Sequence, residues 1–183
     1  MNVKNLLIIF MLLATVVVAG CVSQTTGQTT ASKELQRKLF GPEPGDVAPD
    51  FTVQSVDGET IKLSEINREK PVVIMFTATW CPSCFETLTE MKKVYPEFKD
   101  RVVFINIDLD LEETADLIRD YKNRNGFQGE FAVGNREVLL DYAVAATTTK
   151  YAIDKDGIII YKDTGAILPA ESWKLIFEEL TNS

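Results

Sequence analysis

The sequence predicts an α/β fold: a mixed β-sheet with helices on both faces and a β-hairpin extension at the N-terminal side of the domain. Three observations carry this. Residues 72–77 and 102–108 are apolar almost without a break, the pattern of strands buried on both faces. Each run is followed by a segment with helical spacing of apolar residues, so strand and helix alternate. Two turn signals, Asp57-Gly58 and Asp154-Lys155-Asp156-Gly157, separate short strand-like runs and mark a hairpin near either end of the domain.

Taken in order, Gly41-Pro42-Glu43-Pro44-Gly45 is a run of turn residues at the start of the domain. Phe51-Thr52-Val53-Gln54 and Thr60-Ile61-Lys62-Leu63 make the first hairpin, and Ser64 with the acids after it is placed to cap one short helical turn. The strand at 72–77 follows. Cys84, Leu88, Met91 and Tyr95 then recur at spacings of four, three and four, sharing one stripe of a helix that ends near Pro96. That stripe turns Cys84 inward, whereas Cys81, ahead of the first turn, is expected at the exposed mouth of the site. After the strand at 102–108, residues 111–123 read as a helix with acids in its first turn, where the macrodipole favours them. Asp108, Asp110, Glu112 and Glu113 are accordingly read as strand exit, helix cap and first-turn charge rather than as a cation site. Phe131-Ala132-Val133 is a short strand and 137–144 a short helix. Residues 149–153 and 158–161 form the last hairpin, whose turn lacks the remaining ligands of a calcium loop. Trp173, Ile176, Phe177 and Leu180 are the apolar stripe of a closing helix.

Ahead of this domain, Lys4 brings one positive charge, an apolar stretch covers 6–14 and continues through Val16 to Ala19, and Val18-Ala19-Gly20-Cys21 ends it. Charge, apolar core and small residues are the layout of a secretory signal peptide, and the stretch is shorter than the roughly 20 residues of a membrane-spanning helix. Val18-Ala19-Gly20-Cys21 resembles the lipobox of bacterial lipoprotein signals, which implies removal of residues 1–20 and lipidation of Cys21. The alternative is a stray cysteine beside an ordinary cleavage site or an uncleaved anchor. Residues 22–32, rich in Ser, Thr, Gln and Gly and uncharged, bury too little apolar surface to fold and read as a tether. The expected organisation is thus a signal peptide at 1–20, a lipidated cysteine and tether at 21–40, and one domain at 41–183 held at the extracytoplasmic face of a membrane. With 27 acidic against 19 basic residues and a net charge of -8, nucleic acid is not an expected partner.

The chemistry concentrates in Trp80-Cys81-Pro82-Ser83-Cys84. Two cysteines one helical turn apart, directly after a buried strand, suit reversible disulfide exchange. A helix beginning at Pro82 leaves its first backbone N–H groups unpaired and aimed at Cys81 Sγ, which favours thiolate over thiol. An export signal puts both sulfurs where disulfides form and persist. Tetrahedral zinc usually takes four Cys or His ligands, and the chain has no histidine. A purely structural bridge across so short a loop gains little chain entropy. No metal or organic cofactor is expected, only a redox-active Cys81–Cys84 disulfide.

Three stretches carry a family resemblance: Gly45-Asp46-Val47-Ala48-Pro49-Asp50-Phe51, the strand and motif ending in Thr79-Trp80-Cys81-Pro82-Ser83-Cys84, and Tyr151-Ala152-Ile153-Asp154-Lys155-Asp156-Gly157. Together they resemble the thioredoxin fold, and more closely the membrane-tethered thiol-disulfide oxidoreductases of the TlpA/ResA type. The resemblance implies Cys81 as nucleophile and Cys84 as resolving cysteine, flanked by Trp80, Pro82 and Ser83. The chain departs from the family in its supports. Where a cis-proline preceded by threonine usually faces the cysteines, this sequence has Thr147-Thr148. A non-proline cis bond costs about 2.5–4 kcal/mol, so a trans peptide or a locally strained loop is expected there. The positions of the family's buried acid and its lysine partner are held by Met75 and Phe104, and the glutamate often found three residues after the second cysteine is replaced by Thr87. Glu86 or water would then take the proton of Cys84.

Two functions follow. In the first, the domain is an extracytoplasmic thiol-disulfide oxidoreductase, more in keeping with reduction than oxidation. It would act on protein thiols or disulfides of the cell envelope and draw electrons from an upstream membrane donor. In the second, the same sulfurs hold copper(I) or a partner without turnover. A peroxidase is the weakest reading, since a Pro-x-x-x-Thr-x-x-Cys pattern is absent before Cys81.

Overall fold

A computed structural model describes residues 41–182. The expected signal peptide, Cys21 and tether lie outside these residues. Seven strands form one sheet: β1 (Thr52–Ser55), β2 (Thr60–Lys62), β3 (Val72–Thr77), β4 (Val103–Asp108), β5 (Glu130–Val133), β6 (Thr149–Ile153) and β7 (Ile159–Asp163), in the spatial order β2-β1-β5-β4-β3-β6-β7. The central strands β3, β4 and β5 are parallel, while β1, β2, β6 and β7 pair antiparallel at the two sides. The mixed sheet is the one expected, and the N-terminal hairpin extends it beyond β5.

Five helices cover it: α1 (Leu63–Ile66), α2 (Pro82–Val94), α3 (Ala115–Asn125), α4 (Arg136–Asp141) and α5 (Ala170–Asn182). Because side chains alternate along a strand, the central sheet feeds two cores. Val73, Met75 and Phe104 pack with Leu88 of α2, Ile118 of α3 and Trp173 of α5 on one face. Ile74, Phe76 and Ile105 pack with Leu63 of α1 and Val138 of α4 on the other. All six residues of β3 are buried, as its unbroken apolar sequence requires. Among the described residues, no helix is long and apolar enough to cross a membrane.

Two helix starts differ from expectation. In α1 the capping position is Lys62, with no side-chain cap, and Ser64 lies inside the turn, its N–H donating to Asp50 Oδ1 at 2.9 Å. Helix α3 begins at Ala115 rather than at 111, because Thr114, in extended conformation, caps it by accepting from Leu117 N at 3.3 Å. Only Asp116 occupies its first turn. The acids before it belong to a separate turn in which Glu113 N donates to the Asp110 carbonyl at 3.0 Å and Glu112 N to Asp110 Oδ1 at 3.1 Å.

Candidate active site

In an open α/β sheet, the crevice outside the carboxyl ends of the parallel strands is where ligands and chemistry collect. Here β3 leads into Ala78 and Cys81, and β4 ends on Asp108, in register with Thr77. The antiparallel strand β6 begins at this edge too, since Thr149 pairs with Phe76. Thr147 and Thr148 therefore stand at the same edge of the sheet as the cysteines.

Cys81 is the N-cap of α2 and Pro82 its first residue, a position where the missing proline N–H costs nothing. Cys84 N donates to Cys81 Sγ at 3.2 Å, and Ser83 Oγ lies 3.3 Å from the same sulfur. The two cysteines are joined as a disulfide with their Cα atoms 5.3 Å apart. Cys84 is fully buried, as its stripe predicts. Cys81 is not at an exposed mouth: only 3% of it meets solvent, because its side chain turns back under the start of the helix toward Cys84 N. The exposed rim consists instead of Trp80 at 62%, Pro82 and Phe85.

The segment before Cys81 is gripped by the loop after β4. Leu109 N donates to the Thr77 carbonyl at 2.7 Å, and the Trp80 indole N–H donates to Asp110 Oδ2 at 2.8 Å. Glu113 takes both donors of Thr79: its backbone N–H, at 3.0 Å, and its hydroxyl. Asp108 lies behind, fully buried, with Oδ1 accepting from Asp110 N at 2.9 Å. Burial pushes the Asp108 carboxyl up to about 8, and a hydrogen bond with Glu113 and the charges of Glu113 and Asp110 add to this. Asp110 is held low, mainly by the Trp80 indole. The acids are therefore not simple strand-exit and first-turn charges, and among the described residues no group of three or more ligating side chains is placed to hold a metal.

The Thr147–Thr148 peptide is cis, where the sequence leads to the expectation of a trans peptide or a locally strained loop. Thr148 is buried and tied down on both sides: its hydroxyl donates to the Ala166 carbonyl at 3.3 Å, and its carbonyl and hydroxyl accept from Lys150 Nζ at 2.6 and 2.9 Å. Lys150, 1% exposed, also donates to the Ala166 carbonyl at 2.8 Å and pairs with Asp163 at 2.7 Å. Burial lowers its affinity for the proton, an effect that Asp163 partly offsets. Lys150 was invisible as a site residue in the sequence; its one signal is a lysine inside an otherwise apolar strand.

Met75 and Phe104 are fully buried and apolar, and Thr87 is buried with a hydroxyl that meets no partner among the described residues. Glu86 is exposed on α2, and among the described residues its side chain makes no hydrogen bond or ion pair. The acid cluster that holds the segment leading to Cys81 is Glu113, on Thr79, and Asp110, on Trp80, with the buried Asp108 behind them. A polar residue closing an apolar strand that runs parallel to the strand leading into the cysteines was the sequence signal for it.

Comparison with known proteins agrees with this geometry. Residues 44–162 match the model of the AhpC/TSA family. The chain is 30% identical over 163 residues to a thiol-disulfide oxidoreductase ResA of Bacillus cereus, covering 88% of this chain and 90% of that protein. Among solved structures it is similar to a putative protein disulfide isomerase from Bacteroides thetaiotaomicron, with a TM-score of 0.67 at 24% identity over 77% of this chain and 91% of the other. A putative thiol:disulfide interchange protein DsbE from Chlorobium tepidum superposes with a TM-score of 0.63 at 24% identity, covering 73% and 92%.

Proposed function

For a chain that belongs to the AhpC/TSA family and is a thiol-disulfide oxidoreductase of the ResA/DsbE type, we propose that Cys81 and Cys84 are the exchanging pair and that the enzyme reduces protein disulfides outside the cytoplasm. The observation that carries the roles is the Cys84 N–H directed at Cys81 Sγ at the start of α2. It favours negative charge on that sulfur, and among the described residues no comparable donor serves Cys84, which is sealed in the core. In the reduced protein, Cys81 thiolate attacks one sulfur of a partner's disulfide. That bond breaks, the displaced sulfur leaves as thiolate and takes up a proton, and a mixed disulfide remains. Cys84 then gives up its proton and attacks Cys81 Sγ, forming the intramolecular disulfide and releasing the partner's second thiol. Two electrons pass to the partner, so a dithiol donor, of the membrane in this reading, must restore the pair.

The signal-like segment before Val22 and the lipobox-like Val18-Ala19-Gly20-Cys21 support export and a lipid anchor at Cys21. The reaction needs no cofactor beyond the disulfide itself. A peroxidase reading finds no support around Cys81, since Ala78 stands where the threonine of a Thr-x-x-Cys pattern belongs.

Trapping tests the assignment. Cys84→Ser should accumulate mixed disulfides with envelope proteins in non-reducing gels, and these should vanish when Cys81→Ser is added. An absence of trapped species, with tight copper(I) binding by the unmodified pair, would favour the metal-holding alternative.

A further inference from the structure

Thr79 reaches its two acceptors across the gap between β3 and β4, and both belong to one carboxyl group. We infer that Glu113 and Asp108 form a one-proton carboxyl pair that acts as a positioning device, fixing Thr79 and Trp80 and through them the approach of Cys81. This rests on the exchange reading of Cys81 and Cys84 given above.

The geometry is specific. Glu113 accepts from Thr79 N at 3.0 Å and from the Thr79 hydroxyl, two residues ahead of Cys81. Asp110, from the same loop, accepts from the Trp80 indole at 2.8 Å, and Cys81 N in turn donates to the Ala78 carbonyl at 3.2 Å. Behind Glu113, Asp108 has no exposed surface, and its Oδ2 meets no N–H or O–H donor among the described residues. The Glu113 carboxyl stands against it, a contact that is a hydrogen bond only when one of the two acids carries a proton. Two bare carboxylates there would repel, and the group able to move away is Glu113, which holds Thr79. Among the described residues no ion pair reaches Asp108, Asp110 or Glu113. Among the described residues the neighbouring groups add no positive charge either: Asp110 from its own loop, the Tyr121 hydroxyl of α3, which has no hydrogen-bond partner there, and the uncharged Thr77 of β3, in register with Asp108 and bonded to Asn106 of β4. Loss of the shared proton should therefore loosen the segment leading to Cys81.

Trp80 reports on this directly once the other indole, Trp173, is removed by Trp173→Phe. In the disulfide form neither cysteine titrates, so a change in Trp80 emission between pH 6 and 10 is expected for the pair and should be lost on adding Asp108→Asn. No transition, or one that survives Asp108→Asn, overturns the inference. In the reduced protein, reaction of Cys81 with dithiobis(nitrobenzoate) at pH 7 should slow about tenfold or more in Glu113→Ala and stay within about threefold of wild type in Glu113→Gln, whose amide can still accept from Thr79. A Glu113→Ala protein that folds, by its circular dichroism, and reacts at the wild-type rate also overturns it. Failure of the Cys84→Ser trap would remove the enzymatic role of the cysteines, but the emission titration needs no turnover and decides the pair in that event as well.

Discussion

Asp108 is the residue at which burial and charge disagree most. An aspartate in water titrates near 3.9, whereas this one, buried beside Glu113, is pushed up to about 8. Between those two values the folded protein keeps a proton that the unfolded chain gives up. The contribution to stability is therefore complete below about pH 4 and is lost as pH rises toward 8, with a slope of up to about 1.4 kcal/mol per pH unit. Asp108→Asn carries no titrating group and escapes that slope. In urea unfolding followed from pH 5 to pH 8, the variant should gain on the wild type as pH rises, whichever of the two is the more stable at pH 5. Parallel pH profiles for the two proteins would mean that Asp108 is ionised in the fold throughout this range.

At the scale of elements, the two hairpin strands β6 and β7 meet the cysteine edge through one buried cation. Lys150 binds the carbonyl and hydroxyl of Thr148, the carbonyl of Ala166 and the carboxylate of Asp163. Lys150→Met would leave Asp163 without its counter-charge and the carbonyl and hydroxyl of Thr148 without their donor, while the Ala166 carbonyl would keep only the Thr148 hydroxyl. A loss of about 3 kcal/mol in urea unfolding is expected, at the lower end for a broken buried pair because the Asp163 side chain is 23% exposed. Adding Asp163→Asn should recover part of it; a Lys150→Met protein as stable as wild type would show that the pair contributes nothing. This is also the scale at which legibility in the sequence divides. Strands β3 and β4 are readable because both faces of each are buried, so their apolar runs are continuous. Helix α2 is readable because Cys84, Leu88 and Met91 keep helical spacing and Pro82 marks its start. The start of α3 is not, because the acids at 112 and 113 mimic a first turn while the cap that sets the boundary is Thr114. The grip of Glu113 on Thr79 spans 34 residues and exists only once β3 and β4 lie side by side. The sequence points Cys81 toward solvent because chain order shows that it precedes the helix but not that its side chain turns inward.

For the whole molecule, the parallel order of β3 and β4 and the reversed direction of β6 collect the disulfide, the acid pair and Thr148 at one edge of the sheet. The described chain begins at the other. Val47 bridges Ile158 and Ala48 N donates to the Gly157 carbonyl, both next to the turn joining β6 to β7, which lies at the far end of β6 from Thr149. The described residues thus start away from the cysteines, and the proposed anchor precedes them in the sequence. If Cys21 carries that anchor, Cys21→Ser should move the protein from the membrane fraction to the soluble fraction without changing its reaction with a small soluble disulfide, because the site lies wholly within the domain. Trapping by a Cys84→Ser background should then weaken for membrane-bound partners while persisting for soluble ones. Retention of Cys21→Ser in the membrane fraction would remove the lipid anchor from this account, and a loss of reactivity toward the small disulfide would show that the segment before Gly41 takes part in the site itself.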